Sequence, residues 1–215
     1  MSSARNRAKL DAIFGAQESG KSSLMKIETV RARPPRLVVW DPKREYAKFG
    51  QATSSMRELM ELVLGERSFA AVYQPPPEAM HRKAMRDRFD LFCKTAVQAG
   101  RLRLVVDELA DVTEPGWAPA GWEMVTRQGR HALLEIQAAS QRPAAVDKSF
   151  YGNATRVVVF RLNAEGDLDR MAKLMSRPAA ELASLAPLEY LERDMRSGAV
   201  VKKKIEPKDF RRIPA

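Results

Sequence analysis

Short runs of apolar, mostly β-branched residues recur along the chain with stretches of helical periodicity between them. Most of these runs are continuous rather than alternating, as in strands covered on both faces, and strands that take turns with helices build a parallel sheet. The runs predict strands at 10–14, 36–40, 69–73, 102–106, 132–138 and 156–162. Helical spacing predicts helices at 21–31, 54–64, 78–99, 121–130 and 164–175. In the longest, Met85, Phe89, Phe92, Cys93 and Val97 share one stripe, and Gly100 stands where a helix would end. After Ser176 the pattern changes: 189–193 and 199–205 flank Arg196-Ser197-Gly198 as a β-hairpin, and a basic tail runs from Lys202 to Arg212. The expected fold is α/β, a mainly parallel sheet flanked by helices with a C-terminal β-hairpin. It forms a single domain over 1–215, with its core at about 10–175 and a C-terminal helix, hairpin and tail at 176–215.

The first predicted strand runs into Gly15-Ala16-Gln17-Glu18-Ser19-Gly20-Lys21-Ser22-Ser23, which opens the first predicted helix. Gly-x-x-x-x-Gly-Lys-Ser between a strand and a helix is a phosphate-binding loop. Its glycines let the backbone bend around an anion, and its amides and the helix N-terminus point at that anion. Lys21 would reach the terminal phosphates of ATP and the Ser22 hydroxyl would ligate Mg²⁺. The bland alternative is a Gly-Ser turn with Ser22 as a helix cap. Glu18 is out of character in such a loop, and its side chain is expected to point outward.

The strand predicted at 102–106 ends in Asp107-Glu108. Phosphoryl transfer to water needs one carboxylate for the hydrated Mg²⁺ and another group to orient or deprotonate the water. Asp107 suits the first role and Glu108 the second; alone, such a pair would be an ordinary helix cap.

Charge adds to this picture. With 37 Lys+Arg against 27 Asp+Glu the net charge is +10, which favours polyanionic partners. Arg82, Lys83, Arg86 and Arg88 on the long helix form either a solvated face or part of a DNA-facing surface. The one cysteine, Cys93, excludes an intrachain disulfide. His81 and His131 are isolated, and no Cys/His cluster suggests a metal other than Mg²⁺. The basic start MSSARNRAK lacks a signal-peptide core, and no transmembrane segment is apparent.

Several segments, in order, resemble the HerA/FtsK superfamily of DNA-pumping P-loop ATPases. Asp41-Pro42-Lys43-Arg44-Glu45-Tyr46 looks like the group's Asp-Pro-Lys-Gly-Glu-Tyr segment, with Arg44 in place of the glycine. Asp107-Glu108-Leu109-Ala110-Asp111 is similar to the second nucleotide motif of FtsK-like motors. Arg127-Gln128-Gly129-Arg130, and then Ser140-Gln141-Arg142-Pro143, follow the family's remaining pattern. The resemblance implies a RecA-like core that assembles as a homo-oligomeric ring, hexamer or pentamer, with nucleotide at subunit interfaces. Gln141 would sense the γ-phosphate, and Arg127 or Arg130 would be the arginine finger offered to a neighbour's ATP, unless either simply caps a helix C-terminus. Asp41 would serve the nucleotide site or an interface, or be a turn residue. The loop 112–122, with two of the three tryptophans, would face a pore and DNA or pack against a helix or subunit.

Compactness makes the chain most similar to the genome-packaging ATPases of tailless, membrane-containing double-stranded DNA viruses. That implies a motor pumping viral DNA into a preformed capsid, located in host cytoplasm or at a packaging vertex, with a vertex or portal component as a possible partner. Two alternatives stand: a conjugation or filamentous-phage assembly ATPase, and an ATP-switched scaffold that pumps nothing.

Overall fold

The computed structural model describes residues 9–213, so the basic start, residues 1–8, lies outside the described part. Among the described residues nine strands form one sheet. In chain order they are β1 (Lys9–Phe14), β2 (Arg36–Trp40), β3 (Gln51–Thr53), β4 (Phe69–Tyr73), β5 (Arg103–Val106), β6 (Glu135–Ser140), β7 (Arg156–Phe160), β8 (Glu189–Asp194) and β9 (Val200–Lys204). The helices are α1 (Lys21–Ala32), α2 (Met56–Gly65), α3 (Arg82–Ala99), α4 (Ala120–Gln128), α5 (Lys148–Gly152), α6 (Glu165–Met175) and α7 (Ala179–Ala183). The spatial order is β3-β4-β2-β5-β6-β1-β7-β8-β9, with pairing parallel as far as β7 and antiparallel for β8 and β9.

Alternation along the strands divides the core between two faces. Ile13, Val39, Val105 and Val158 pack with Leu24, Met25 and Ile27 of α1. Ala12, Phe14, Val38, Trp40 and Val106 pack with residues of α2 to α7. On this second face aromatic rings run under the strand ends: Phe14 to Phe150 (5.8 Å), Phe150 to Trp122 (5.7 Å), Trp122 to Phe89 (5.6 Å), Phe89 to Trp40 (5.0 Å) and Trp40 to Tyr73 (5.4 Å). Edge-to-face and offset pairs at such spacings add to the burial energy of the rings. Phe14 and Trp40 are the last residues before the phosphate loop and before Asp41, so the row fixes where both loops depart.

Some boundaries differ from the sequence expectation. Residues 132–134, expected in a strand, form a turn in which the Leu134 amide donates to Gly129 O (2.8 Å) and Leu133 is left-handed. These apolar residues finish α4, and β6 starts at Glu135. The expected helix at 78–99 starts at Arg82, because Pro75-Pro76-Pro77 holds the chain extended and then in a 3-10 turn. His81 Nδ1 then accepts from the Ala84 amide (3.4 Å) as the cap of α3. The tail is not free either. Lys202 and Lys203 pair with Glu189 (2.9 Å) and Glu192 (2.6 Å), and residues 207–212 form a 3-10 segment tied to α1 by an Arg31–Asp209 ion pair.

At the opposite end of the sheet from the phosphate loop lies a side-chain network that the sequence did not announce. The Arg156 guanidinium binds Asp11 (2.9 Å), Glu28 (2.6 Å) and Glu192 (3.0 Å). Glu28 continues through Gln137 (2.6 Å) to Arg103 (3.2 Å), so α1 is laced to five strands.

Candidate active site

The phosphate loop follows β1 and turns into α1, and close packing explains its glycines. A Cβ on Gly15 would come within 2.5 Å of Ser19 Oγ and 2.6 Å of Phe160 Cβ. Gly20 has φ +114°, a conformation L side chains rarely adopt. Among the described residues the backbone amides of Gly20, Lys21, Ser22 and Ser23 have no backbone partner, as expected at a helix N-terminus that faces an anion. Gln17 and Glu18 are exposed, Glu18 sits in the left-handed region at φ 59°, and both residues lie among those that line the cleft described below. The hairpin braces the loop from outside, since the Leu188 amide donates to Ser19 O (3.2 Å).

Lys21 is buried, and its Nζ donates to Ala16 O (2.7 Å). Burial pulls the ammonium down to about 8, although Glu108 and Asp107 oppose the shift. A phosphate bound there would favour the charged form, so binding at alkaline pH requires proton uptake. ATP affinity is therefore expected to hold up to pH 8 and to fall by up to about tenfold per pH unit above it. Titration of a fluorescent ATP analogue from about pH 7 to about pH 9.5 checks this; Lys21→Arg, which stays charged, should flatten the curve, and an unchanged slope would refute the assignment.

The acidic pair leaves β5, which is separated from β1 by β6 alone. Asp107 and Glu108 are both buried, and Glu108 is left-handed at φ 58°. Burial raises the Asp107 carboxyl to about 6 against the pull of Lys43, and its Oδ2 has no hydrogen-bond partner. Glu108 Oε1 accepts from Ser140 Oγ (3.0 Å) and the Gln141 amide (3.1 Å), while Oε2 accepts from Lys43 Nζ (3.3 Å). Gln141 thus stands at the end of β6, between the phosphate loop and the acidic pair. Its side chain lines a cleft of about 460 Å³ together with Gly20, Lys21, Ser22, Ser23, Lys43 and Leu188. The cleft lies beyond the carboxyl ends of the strands, where the chain turns from β1 to opposite sides of the sheet, the usual ligand position in open α/β sheets.

Arg127 and Arg130 do not line this cleft. α4 starts near the carboxyl end of β5 and runs back against the strands, leaving both arginines exposed at the other end of the sheet, with Arg127 3.7 Å from Glu123. A strand of five residues spans about 17 Å, so neither arginine can serve the nucleotide of its own chain. Asp41 does not face the cleft as a free carboxylate. It is fully buried and accepts from the amides of Glu45 (2.8 Å) and Tyr46 (2.9 Å) and from Gln74 Nε2 (2.8 Å), bracing its loop. Arg44, where the resembling motif has glycine, is left-handed at φ 59°, which is why glycine suits that position. In the loop 112–122, Trp122 is buried, whereas Trp117 is 44% exposed beneath the Arg86 guanidinium (4.4 Å). Arg86 also pairs with Glu114 (2.5 Å), so this part of the long helix is not a merely solvated face. Cys93 is fully buried and its thiol is pushed well up by burial, as befits a packing residue.

Lys43 and Ser140 are the site residues that sequence reasoning quoted without assigning. The available signal was positional: β2 pairs with β5, so a cation three residues past the end of β2 falls beside the carboxylates that end β5.

Solved structures share this fold. The genome packaging NTPase B204 of Sulfolobus turreted icosahedral virus 2, in complex with AMPPCP, superposes with a TM-score of 0.74 at 21% identity, over 92% of this chain and 98% of that one. The chain has the fold of this packaging NTPase. VirB4 of Thermoanaerobacter pseudethanolicus has the same fold, with a TM-score of 0.73 at 12% identity over 98% and 93% of the two chains. Protein P9 of Pseudoalteromonas phage PM2 is 25% identical over 177 residues, covering 80% of this chain and 78% of P9. No family model matches the sequence. The structural matches bear out the RecA-like core and the resemblance read from the ordered motifs.

Proposed function

We propose that the protein is an ATPase that converts hydrolysis into movement of double-stranded DNA, acting as the motor that packages a viral genome into a preformed capsid. One observation carries the reading: the phosphate loop shares its cleft with Lys43 and Gln141, and both of these hydrogen-bond the buried Glu108 of the acidic pair that ends β5. The amides of residues 17–23 and Lys21 would hold the phosphates, and Glu108 would orient and deprotonate the attacking water. The donor set fits Mg²⁺: the Ser22 hydroxyl lines the cleft and Asp107 presents an unpartnered buried oxygen, although no cluster of three metal-ligating side chains occurs among the described residues. Bound there, Mg²⁺ would neutralise charge on the terminal phosphates. Gln141 would report the γ-phosphate through its place beside Glu108.

Arg127 or Arg130, too far from their own cleft, would complete a neighbour's site in a ring of five or six copies. In this reading residues 1–215 act as one ATPase domain that works in the host cytoplasm or at a capsid vertex. The similarity to a packaging NTPase and to phage Protein P9 supports the viral cargo. The similarity to VirB4 favours, as the second reading, a conjugation-type ATPase. No helix of the described residues is long and apolar enough to cross a membrane.

The test is ATP turnover with and without duplex DNA. Stimulation by duplex DNA is expected, and Lys21→Ala should lower kcat/KM at least about 100-fold. Turnover that ignores DNA would speak for an ATP-switched scaffold, and preference for single strands for the conjugation reading.

A further inference from the structure

Glu108 does not stand free. Oε1 is held from the end of β6 by the Ser140 hydroxyl and the Gln141 amide, both anchored in the sheet. Oε2 is held from the other side by the Lys43 ammonium at 3.3 Å, the longest of the three contacts. A carboxylate oxygen that already accepts from an ammonium has that lone pair engaged and the approach of a water to it obstructed. Oε2 has to be released before it can take a proton from water.

The contact best built for release is the one to Lys43. Ser140 is fully buried and Gln141 donates from the backbone, whereas the Lys43 side chain is 34% exposed on a flexible stem. The root of that stem is nevertheless fixed. Asp41 pins the loop through the amides of Glu45 and Tyr46, and Arg44 accepts a left-handed backbone, leaving Lys43 aimed at the acidic strand end. The same ammonium lines the cleft that holds the phosphate loop.

We propose that Lys43 is a positioning residue that holds Glu108 in a resting pose and sets how often the base is free to meet water. The proposal rests on the ATPase reading of the cleft. Lys43→Met removes the cation and keeps most of the stem. Its expected effect is a rise in DNA-free kcat of about fivefold or more, the population change that follows loss of one partly buried charged hydrogen bond. KM for ATP should stay within about twofold, stimulation by duplex DNA should shrink by the factor that the basal rate gains, and Lys43→Arg should restore the native values. In a Glu108→Gln background Lys43→Met should give no gain. If Lys43→Met does not yield folded protein, Lys43→Gln carries the same expectations.

A fall in kcat of tenfold or more, or a kcat equal to that of the native protein, overturns the proposal. The first would make Lys43 a substrate contact and the second a bystander. A native protein that does not hydrolyse ATP sinks the ATPase reading itself, whereas a native ATPase killed by Glu108→Gln but not accelerated by Lys43→Met sinks only this inference.

Discussion

Glu108→Gln is expected to leave a protein that binds ATP and keeps it, with turnover reduced about 10²- to 10⁴-fold, the range that removal of a general base commonly produces. The substitution is close to isosteric. The amide oxygen can still accept from Ser140 Oγ and the Gln141 amide, so the end of β6 stays in register with the end of β5. Lost are the negative charge and the basicity. Lys43 meets an amide NH₂ or O in place of its carboxylate partner, and no group at that position can take a proton from water. Lys21 and the loop amides are untouched, so affinity should change little. Filter retention of labelled ATP beside single-turnover hydrolysis separates the two effects, and turnover within about tenfold of the native rate would remove Glu108 from its role.

Arg156→Leu is expected to cost about 3–5 kcal/mol of stability, enough to unfold many proteins of this size. Among the described residues the guanidinium is the only cation within ion-pair distance of Asp11, a residue 1% exposed in the interior strand β1, and it also binds Glu28 and Glu192. Leucine removes the positive charge and leaves a buried carboxylate unpaired. Asp11 is already raised above its ordinary value by burial, with Arg156 pulling it back, and without Arg156 it rises further. The sign of the pH dependence follows. A carboxyl raised in the folded state destabilises the fold once pH exceeds its unfolded value near 3.9, by an amount that grows until the folded value is reached. The deficit of Arg156→Leu against the native protein should therefore be smallest near about pH 4 and largest at neutrality. Chemical denaturation at several pH values checks this, and a deficit below about 1 kcal/mol at neutral pH would contradict it.

The sequence was most legible where chemistry and chain geometry coincide. Continuous apolar runs located six parallel strands, because a strand buried on both faces has no polar side to confuse the pattern. The phosphate loop was readable because its spacing reflects one local job. Short elements escaped: β3 is Gln51-Ala52-Thr53 without an apolar run, and α5 and α7 have five residues each, too few to show a helical period. Residues 132–134 misled because apolar side chains can finish a helix as readily as begin a strand. What links distant segments was hidden as well. The Lys43–Glu108 contact joins residues 65 positions apart, and the Arg156–Asp11 contact joins residues 145 apart. Such pairings come from strand order, which no local pattern encodes. Asp41 shows the converse, a conspicuous acidic residue whose carboxylate is consumed by the amides of its own loop and by Gln74.

The two margins of the sheet carry a further consequence. β3 is three residues long, and β9 presents Lys202, Lys203 and Lys204 in succession with exposed side chains. A brief margin offers too few unsatisfied amides to recruit a foreign strand, and a lysine-studded one repels its own kind. Copies of this chain are thereby steered away from growing into a continuous ribbon, and any self-association has to be made through helices and loops, contacts that can part and re-form while each sheet stays whole.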